Sequence, residues 1–444
     1  MNTLSQALAR RCTADWARAF DPAQRDALSA CVATAFVDTA ACILAGREEA
    51  PTRVVAQWVR RRGAAGPSSL LFSTEHADPA SAALVNGVAG HALVFDDVGL
   101  AGHPSVVIVP ALLAEQERSA TTGFPVVQAY AKAYAVWGEL VRRTPVSLHA
   151  RGWHPSAVFG VVAAAAGVGA LRGLDEHRLA HALGMAASMS GGIVANFGSM
   201  TKPLHLGRAA EAGIHAVDLA EAGLDASADA LDGPAGLLSA LAGGAAHVDL
   251  SPGLPDEFET TLLRRRPGIK KYPVCYAAHR CIDGVLDLAA RHRIAPADIA
   301  AVQATISETT AAVLRHHDPA TLAEARFSME FALAASLVHG QLGITQVSRA
   351  ALDDPAVRAL MRRVGTDTVS TSCPLEPSFA LTDRVRIVLN DGTALDSGPI
   401  RFARGHAELP LDDAQLREKL YACVGPHESA LAQRVLDQVR GVLA

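Results

Sequence analysis

The sequence predicts a mainly α-helical protein in which a large all-helical domain is joined to a smaller α+β domain. Up to about residue 265, alanine and leucine dominate and apolar residues recur at the helical spacings of three and four. Beyond about Pro267, β-branched residues alternate with other residues in two segments, as they do in strands. The chain has 444 residues and is 50% hydrophobic, so it is long enough to bury a core in each of two domains.

Helices of the first part are predicted over residues 25–45, 127–142 and 178–189, where apolar side chains fall on one face. Asp175 precedes the last of these as an N-cap residue. The most apolar stretch, 157–170, is shorter than the roughly 20 residues that cross a bilayer. We therefore expect it to be a buried helix.

The second part is predicted to contain strands over 299–309 and 383–395, the latter with a hairpin turn of Asn-Asp-Gly at 390–392. Helical patterns lie between the strands, at 329–339 and 355–364. This mixture indicates an α+β domain.

Residues 411–443 return to a helical pattern, which we expect to rejoin the first domain. The predicted helical domain therefore comprises residues 1–266 and 405–444. The predicted α+β lid domain comprises residues 267–404.

The charge and cysteine content exclude several classes of protein. The formal net charge is only -5 and no long block of one sign occurs, so we expect no nucleic-acid partner. The seven cysteines are scattered without a CxxC pair, which argues against a disulfide framework or structural zinc. The N-terminus lacks an apolar signal region, so we expect a cytoplasmic protein without a membrane partner.

Four segments combine histidine or lysine with glycine or proline: 86–110, 152–160, 196–208 and 269–283. Ionisable side chains on such loops are costly in an apolar helical protein unless they are exposed or functional. These segments are therefore the candidates for chemistry. Other familiar signatures are missing, since neither GxxxxGK[ST] nor HExxH occurs.

In the first segment, Asp96, Asp97 and His103 lie within eight residues, and Gly99 and Gly102 would allow a bend that brings them together. One interpretation is a site loop with His103 as the proton carrier. The other is a polar loop whose aspartates cap a helix.

Two further candidates stand at predicted helix starts. His154 precedes Pro155, and a helix N-terminus would favour its neutral form, which suits a base, although a structural hydrogen bond is an alternative. Lys202 precedes Pro203 where Thr201 could cap the helix, so this start could bind an anion, or Lys202 could be a surface lysine.

The fourth segment carries Lys270, Cys275 and His279. Cys275 and His279 are four residues apart and would share one face of a helix. They could be a nucleophile and its base, two metal ligands, or a satisfied pair in the core.

In order and spacing, the four segments resemble the MmgE/PrpD family, which includes 2-methylcitrate dehydratase, cis-aconitate decarboxylase and iminodisuccinate epimerase. The resemblance implies a helical domain with an α+β lid, a site between them, and a homodimer. Its most specific pieces are NGVAGHALVFDDVGLAGHPS, GWHPS, MTKPLHLGRAAEAG, KKYPVCYAAH and Phe327-Ser328-Met329.

The resemblance also implies the site residues and the chemistry. It implies no metal, nucleotide or iron-sulfur cofactor and a small polycarboxylate as substrate. A histidine would remove a proton α to a carboxylate, and lysines would stabilise the charge that develops there. The catalytic residues it implies are His103, His154, Lys202 and Lys270. The predicted substrate-binding residues are Asp97, Thr201, Cys275 and His279.

Three positions depart from the decarboxylase subgroup. Val94 stands where that subgroup carries an aspartate, Cys275 where it carries a histidine, and Phe331 where it carries a tyrosine. Each change removes a polar group. We therefore predict a lyase that removes water from a hydroxy di- or tricarboxylic acid, with an iminodisuccinate-type epimerase as the alternative. A cis-aconitate-type decarboxylase and a non-catalytic binder of small acids rank below these.

Overall fold

The computed structural model describes residues 3–144, 147–243, 248–376, 378–425 and 429–444. The architecture is mainly α-helical with small sheets, so the predicted fold class is confirmed. The described residues form two large hydrophobic cores. One lies among the helices that precede residue 265 and includes Val435, Val439 and Val442 near the C-terminus, and the other surrounds the sheet of the second part.

The first part of the chain forms eleven helices and a two-stranded ribbon within the described residues. The strands are β1 (Ser68–Ser69) and β2 (His76–Ala77), which pair antiparallel. The helices are α1 (Leu4–Thr13), α2 (Pro22–Gly46), α3 (Ala50–Arg62), α4 (Pro79–His91), α5 (Ser105–Ser119), α6 (Phe124–Arg143), α7 (Pro155–Arg172), α8 (Glu176–Met189), α9 (Thr201–Glu221), α10 (Leu237–Ala242) and α11 (Thr261–Arg264).

In the described residues of the second part, helices alternate with four strands, and two helices follow at the end. The strands are β3 (Ile299–Ser307), β4 (Val364–Val369), β5 (Arg384–Leu389) and β6 (Ala394–Asp396). The helices are α12 (His279–His292), α13 (Glu308–Val313), α14 (Leu322–Ala325), α15 (Met329–His339), α16 (Arg349–Asp353), α17 (Pro355–Met361), α18 (Asp413–Val424) and α19 (Ser429–Leu443).

Helices α4, α7 and α9 form the centre of the large domain, because α9 packs on both of the others. Glycines bring α4 and α9 close together: a Cβ added to Gly87 would lie 2.8 Å from the Cα of Gly207. Such small residues let helix backbones approach each other. The crossing places the end of α4 and the start of α9 side by side, and both carry site residues.

The sheet of the small domain has the strand order β4-β3-β5-β6. Strand β3 runs parallel to β4 and antiparallel to β5, and β5 and β6 form the hairpin predicted around residues 390–392. The sequence analysis missed β4, because its half-exposed edge position leaves only a weak apolar alternation. The predicted helix over 355–364 accordingly ends early, at Met361.

The chain returns to the large domain at its C-terminal helices, which pack on α2. Lys419 of α18 forms a buried ion pair with Asp38 of α2, with 2.6 Å between Nζ and Oδ1. The same ammonium donates a hydrogen bond of 2.8 Å to the main-chain oxygen of Phe95. Helix α18 thereby fixes the loop that follows α4.

Among the residues that the structure describes, two helices, α2 and α7, are long and apolar enough to cross a membrane by length and composition alone. In the most apolar window of each, 61% of α2 and 83% of α7 is buried inside the molecule. Core helices of globular proteins have the same length and composition, so these two properties do not distinguish a core helix from a membrane span.

We predict that Gly207→Ala destabilises the protein by about 1 to 3 kcal/mol, because the added Cβ would clash with the Leu84 carbonyl and lie 2.8 Å from Val88 Cγ2. The matched control is Gly441→Ala in α19, where nothing lies within 4 Å and the better helix propensity of alanine should stabilise slightly. Thermal unfolding followed by circular dichroism measures both. A Gly207→Ala protein as stable as Gly441→Ala would contradict the close crossing.

Candidate active site

A cavity of about 160 Å³ lies between the two domains. The large domain contributes the loop after α4, the start of α7 and the start of α9. The small domain contributes the segment before α12, one face of α13, and residues 375, 376, 378 and 379. The ionisable and thiol groups that line it are His103, His149, His154, Lys202, Arg265, Cys275, Tyr276 and Glu376.

The loop after α4 turns tightly before it reaches His103. Gly99 and Gly102 pair through two main-chain hydrogen bonds of 3.0 and 2.9 Å, and Leu100 and Ala101 between them have φ of 49° and 60°. The bend thus uses Leu100 and Ala101, and the glycines serve close packing: a Cβ on Gly102 would lie 2.7 Å from Trp137. This corrects the expectation that the glycines themselves make the bend.

Asp96 lies at the centre of the charged groups and is fully buried. Its Oδ1 accepts a hydrogen bond of 2.8 Å from His91 Nδ1, and its Oδ2 lies 3.2 Å from His103 Nδ1. Burial raises the pKa of Asp96, but these histidines hold it well below its usual range. Asp96 is therefore a carboxylate at neutral pH.

His103 carries its proton on Nδ1, because that nitrogen lies 2.8 Å from the main-chain oxygen of Asp97, which can only accept. In the neutral ring the other nitrogen, Nε2, is then a free base. Burial lowers the pKa of His103 to about 4, and the ammonium of Lys270 acts in the same direction. His103 is consequently neutral at pH 7 and able to accept a proton.

Lys202 continues the chain of hydrogen bonds from Asp96, since its ammonium donates to Nε2 of His91. The ammonium also lies 4.9 Å from the ring centroid of Phe197 and 5.2 Å from that of Phe327. Burial lowers the pKa of Lys202 to about 7, with a further lowering by Lys270. The charge of Lys202, which faces the cavity, therefore depends on pH near neutrality.

His91, Asp96 and His103 present ligand atoms within 4.8 Å of one another, a set that could hold a metal ion. The Nδ1 atoms of both histidines already face acceptors, and His91 Nε2 accepts from Lys202. A metal ion would have to break these bonds and lie beside an ammonium. The donor set therefore fits a hydrogen-bonded relay better than a metal centre, and the absence of a metal stays a prediction.

His154 forms a second pair of proton carriers with His205. Their Nδ1 atoms lie 3.0 Å apart, so one ring donates to the other. His154 stands immediately before α7, whose first residue is Pro155, as predicted from the sequence. Burial, followed by the charge of Lys202, lowers the pKa of His154 well below its usual value. Burial also lowers the pKa of His205 to about 4, so both rings are neutral at pH 7.

Lys270 is fully buried and does not line the cavity. Its ammonium donates a hydrogen bond of 2.8 Å to the main-chain oxygen of Val94. Val94 has φ of 56°, which is strained for a β-branched residue, and its side chain forms part of the cavity wall. Lys270 therefore supports the wall and acts on the cavity through its charge, and a direct catalytic role stays a prediction.

Only some of the predicted substrate-binding residues lie at the cavity. Cys275 lines the cavity, whereas Asp97, Thr201 and His279 do not. Asp97 is buried under the loop, where it accepts a 3.2 Å hydrogen bond from the first amide of α5, at Ser105, and burial raises its pKa to about 8. This matches the capping interpretation of that aspartate.

Cys275 and His279 do not share a helix face, contrary to the sequence analysis. A 3₁₀ turn over Tyr276–Ala278 separates them, and α12 begins only at His279. His279 contacts the main-chain oxygen of Val274 at 3.3 Å. The turn sends Cys275 into the cavity and His279 into the interior, so they cannot act as a nucleophile and its base.

The three positions that depart from the decarboxylase pattern also lie in different parts of the structure. Val94 and Cys275 line the cavity, while Phe331 is buried in the core of the small domain. Only the first two therefore bear on the substrate directly.

Several site residues were missed by the sequence analysis. His91 ends α4 inside the first candidate segment, and His205 follows Lys202 by three residues. His149 lines the cavity, and burial lowers its pKa to about 4. The signal for His91 and His205 was their place inside the candidate segments. The signal for His149 was only its distance of five residues from His154.

Comparison with known proteins gives a consistent result. The family model of the MmgE/PrpD N-terminal domain matches residues 12–248, and that of the MmgE/PrpD C-terminal domain matches residues 272–443. The chain is 31% identical to cis-aconitate decarboxylase of Mus musculus over 78% of this chain and 71% of that protein. It is 29% identical to the Homo sapiens cis-aconitate decarboxylase (78% and 72%), and 26% identical to that of Aspergillus terreus (71% and 69%).

We predict that Lys202 titrates with a pKa of about 7, against about 10.4 for an unperturbed lysine. Asp96→Asn should lower this pKa further, because it removes a negative charge that favours the ammonium. Lys270→Met should raise it, because it removes a repelling cation. Competitive acetylation at a series of pH values, followed by peptide mass spectrometry, measures the midpoint. Shifts of the same sign in both variants would contradict the arrangement.

Proposed function

The chain belongs to the MmgE/PrpD family, and we propose that it is a lyase that needs no cofactor and removes water from a small hydroxy di- or tricarboxylic acid. The observation that carries the proposal is the presence of two separate proton carriers beside one ammonium. His103 is held by Asp96 and Asp97, and His154 is paired with His205. Elimination of water requires a base and an acid as well as a cation.

Lys202 holds the substrate carboxylate next to the carbon that loses its proton. Removal of that proton places negative charge on the carboxylate, and the ammonium stabilises it in a cavity with apolar walls. The hydrogen bond to His91 orients the ammonium, and the Phe197 and Phe327 rings limit its movement. The substrate also favours the charged form of Lys202, since a nearby anion raises the pKa of an amine.

His103 accepts the proton at Nε2, and the electron pair of the C–H bond forms the new double bond as the β C–O bond breaks. The hydroxide leaves with a proton from the protonated His154–His205 pair, which yields water and leaves the pair neutral. The carboxylates of the substrate raise the pKa of the His154–His205 pair above its value in the free enzyme, so the pair takes up this proton as the substrate binds. The 3.0 Å contact with His205 spreads the positive charge of the protonated pair over two rings.

A second candidate function is decarboxylation, which two observations favour. The relatives named above are cis-aconitate decarboxylases. Apolar side chains also line much of the cavity, and apolar surroundings assist a carboxylate that loses its charge as CO₂. The departures at Val94 and Cys275 count against the same substrate, since each removes a hydrogen-bonding group from the wall. Epimerisation, the sequence-based alternative, shares the first proton transfer.

Proton NMR in deuterated water tests these outcomes on a panel of hydroxy, amino and unsaturated polycarboxylates. Dehydration of the hydroxy acids should give alkene signals, decarboxylation should release CO₂, and epimerisation should exchange the α-hydrogen without forming an alkene. We expect dehydration. Exchange without unsaturation, or CO₂ release from an unsaturated acid alone, would contradict it.

We predict that Lys202→Met lowers kcat/KM by about 100- to 1000-fold, as loss of one charge-stabilising donor does elsewhere. Lys271→Met is the matched control, because Lys271 belongs to the fourth segment but does not line the cavity. It should leave kcat/KM nearly unchanged. Equal activity of the two variants would refute the role of Lys202.

The pH profile of kcat/KM should be bell-shaped, because it reports the free enzyme. His103 must be neutral, so activity should fall below its pKa of about 4. The His154–His205 pair must carry a proton and Lys202 must be charged, so activity should fall as pH rises and should be low above the Lys202 pKa of about 7. Steady-state rates between pH 3 and 9 measure both limbs, and activity that still rises at pH 9 would be inconsistent with this assignment.

A further inference from the structure

A second cavity, of about 310 Å³, lies on the other side of Lys202. Val94, Lys202 and Phe327 line both cavities and form the partition between them. The second cavity is bounded by the starts of α3 and α9 and by the segment around α14. Its charged lining residues are Glu49, Lys202, Arg326 and Arg349.

Arg326 is the unusual group in this cavity. It is only 5% exposed, and its Nε has no hydrogen-bond partner among the described residues. Its ion-pair partner is Glu49, with 3.5 Å between Nη2 and Oε2, which is at the limit of a hydrogen bond. Burial lowers the pKa of Arg326, and Glu49 offsets this only in part. A buried guanidinium with an unmade hydrogen bond is costly.

The surroundings of Arg326 are positively charged overall. Lys202 is 2% exposed and contributes a second buried cation, while the Glu49 side chain is 32% exposed. The first turn of α9 begins at the same wall, but the amides of Thr201 and Lys202 are already bonded to Ser199, so this turn adds little positive potential. Arg349 is already paired with Asp353 and contributes less.

We propose that the second cavity binds a small carboxylate, which accepts hydrogen bonds from the Arg326 guanidinium in competition with Glu49 and lies beside Lys202. A carboxylate matches the planar edge of a guanidinium, which donates two parallel hydrogen bonds. Because Lys202 lines both cavities, this ligand competes with the substrate for one ammonium. The site is distinct from the proposed catalytic cavity and does not depend on the reaction assigned to it.

The test measures acetate binding to the full chain by calorimetry, against sodium chloride at equal ionic strength. Arg326→Gln should weaken acetate binding about tenfold or more, as loss of a charged hydrogen-bond donor does. Glu49→Gln should tighten it, because it removes a competing carboxylate. Both variants break the same ion pair, so a purely structural pair would give effects of the same sign. Same-sign effects, or no effect of either variant, overturn the proposal.

Two further measurements show which cavity binds acetate and whether the site prefers a carboxylate. Val313 lines only the main cavity, so Val313→Trp narrows that cavity and should preserve the opposite effects of the two variants. Their loss would assign acetate to the main cavity and overturn the proposal. Inorganic phosphate should bind more weakly than acetate, and tighter binding of phosphate that depends on Arg326 would overturn the carboxylate assignment. None of these binding measurements requires turnover, so failure of this proposal can be distinguished from failure of the proposed function.

Discussion

The carboxylate of Asp96 is the charge around which the cavity is organised. It is fully buried, and a buried carboxylate is tolerated only with close partners of opposite charge or hydrogen-bond donors. Its partners are His91 and, at 3.2 Å, His103, and through His91 it reaches Lys202. One negative charge thus orients a base and a cation at the same time. Without it, Lys202 and Lys270 would lose the largest of the charges that offset their mutual repulsion.

The packing of the large domain brings these groups together from distant parts of the sequence. His91 ends α4, and Lys202 lies in the first turn of α9, 111 residues later. The glycines at the crossing of α4 and α9 permit this approach. Ser156, in the first turn of α7, accepts a 3.0 Å hydrogen bond from the main chain of His103, which joins the loop to the helix that follows His154. Helix starts and ends, rather than helix faces, therefore supply the chemistry.

Much of the fold followed from local patterns in the sequence, because helices such as 329–339 carry a continuous apolar signal. The candidate segments were recognisable for a similar reason, since ionisable residues next to glycine and proline are unusual in an apolar protein. What local patterns could not provide were contacts over long separations. In the sequence, His91 resembles any other residue of a buried helix, because its contact with Lys202 is visible only in the structure. The Cys275 side chain reaches the cavity because of a single 3₁₀ turn. The four-residue spacing between Cys275 and His279 does not reveal this turn.

The hydrogen bond from Lys419 to the main chain of Phe95 has a consequence for the order in which the site can form. The two residues are separated by 324 positions, and Phe95 immediately precedes Asp96. During synthesis, the loop that carries Asp96 and His103 leaves the ribosome long before α18 exists to hold it. The nascent large domain can form its helices and core early, but the loop gains its last anchor only when the C-terminal helices are made. Catalytic competence should therefore appear late in biosynthesis, after most of the chain has already folded.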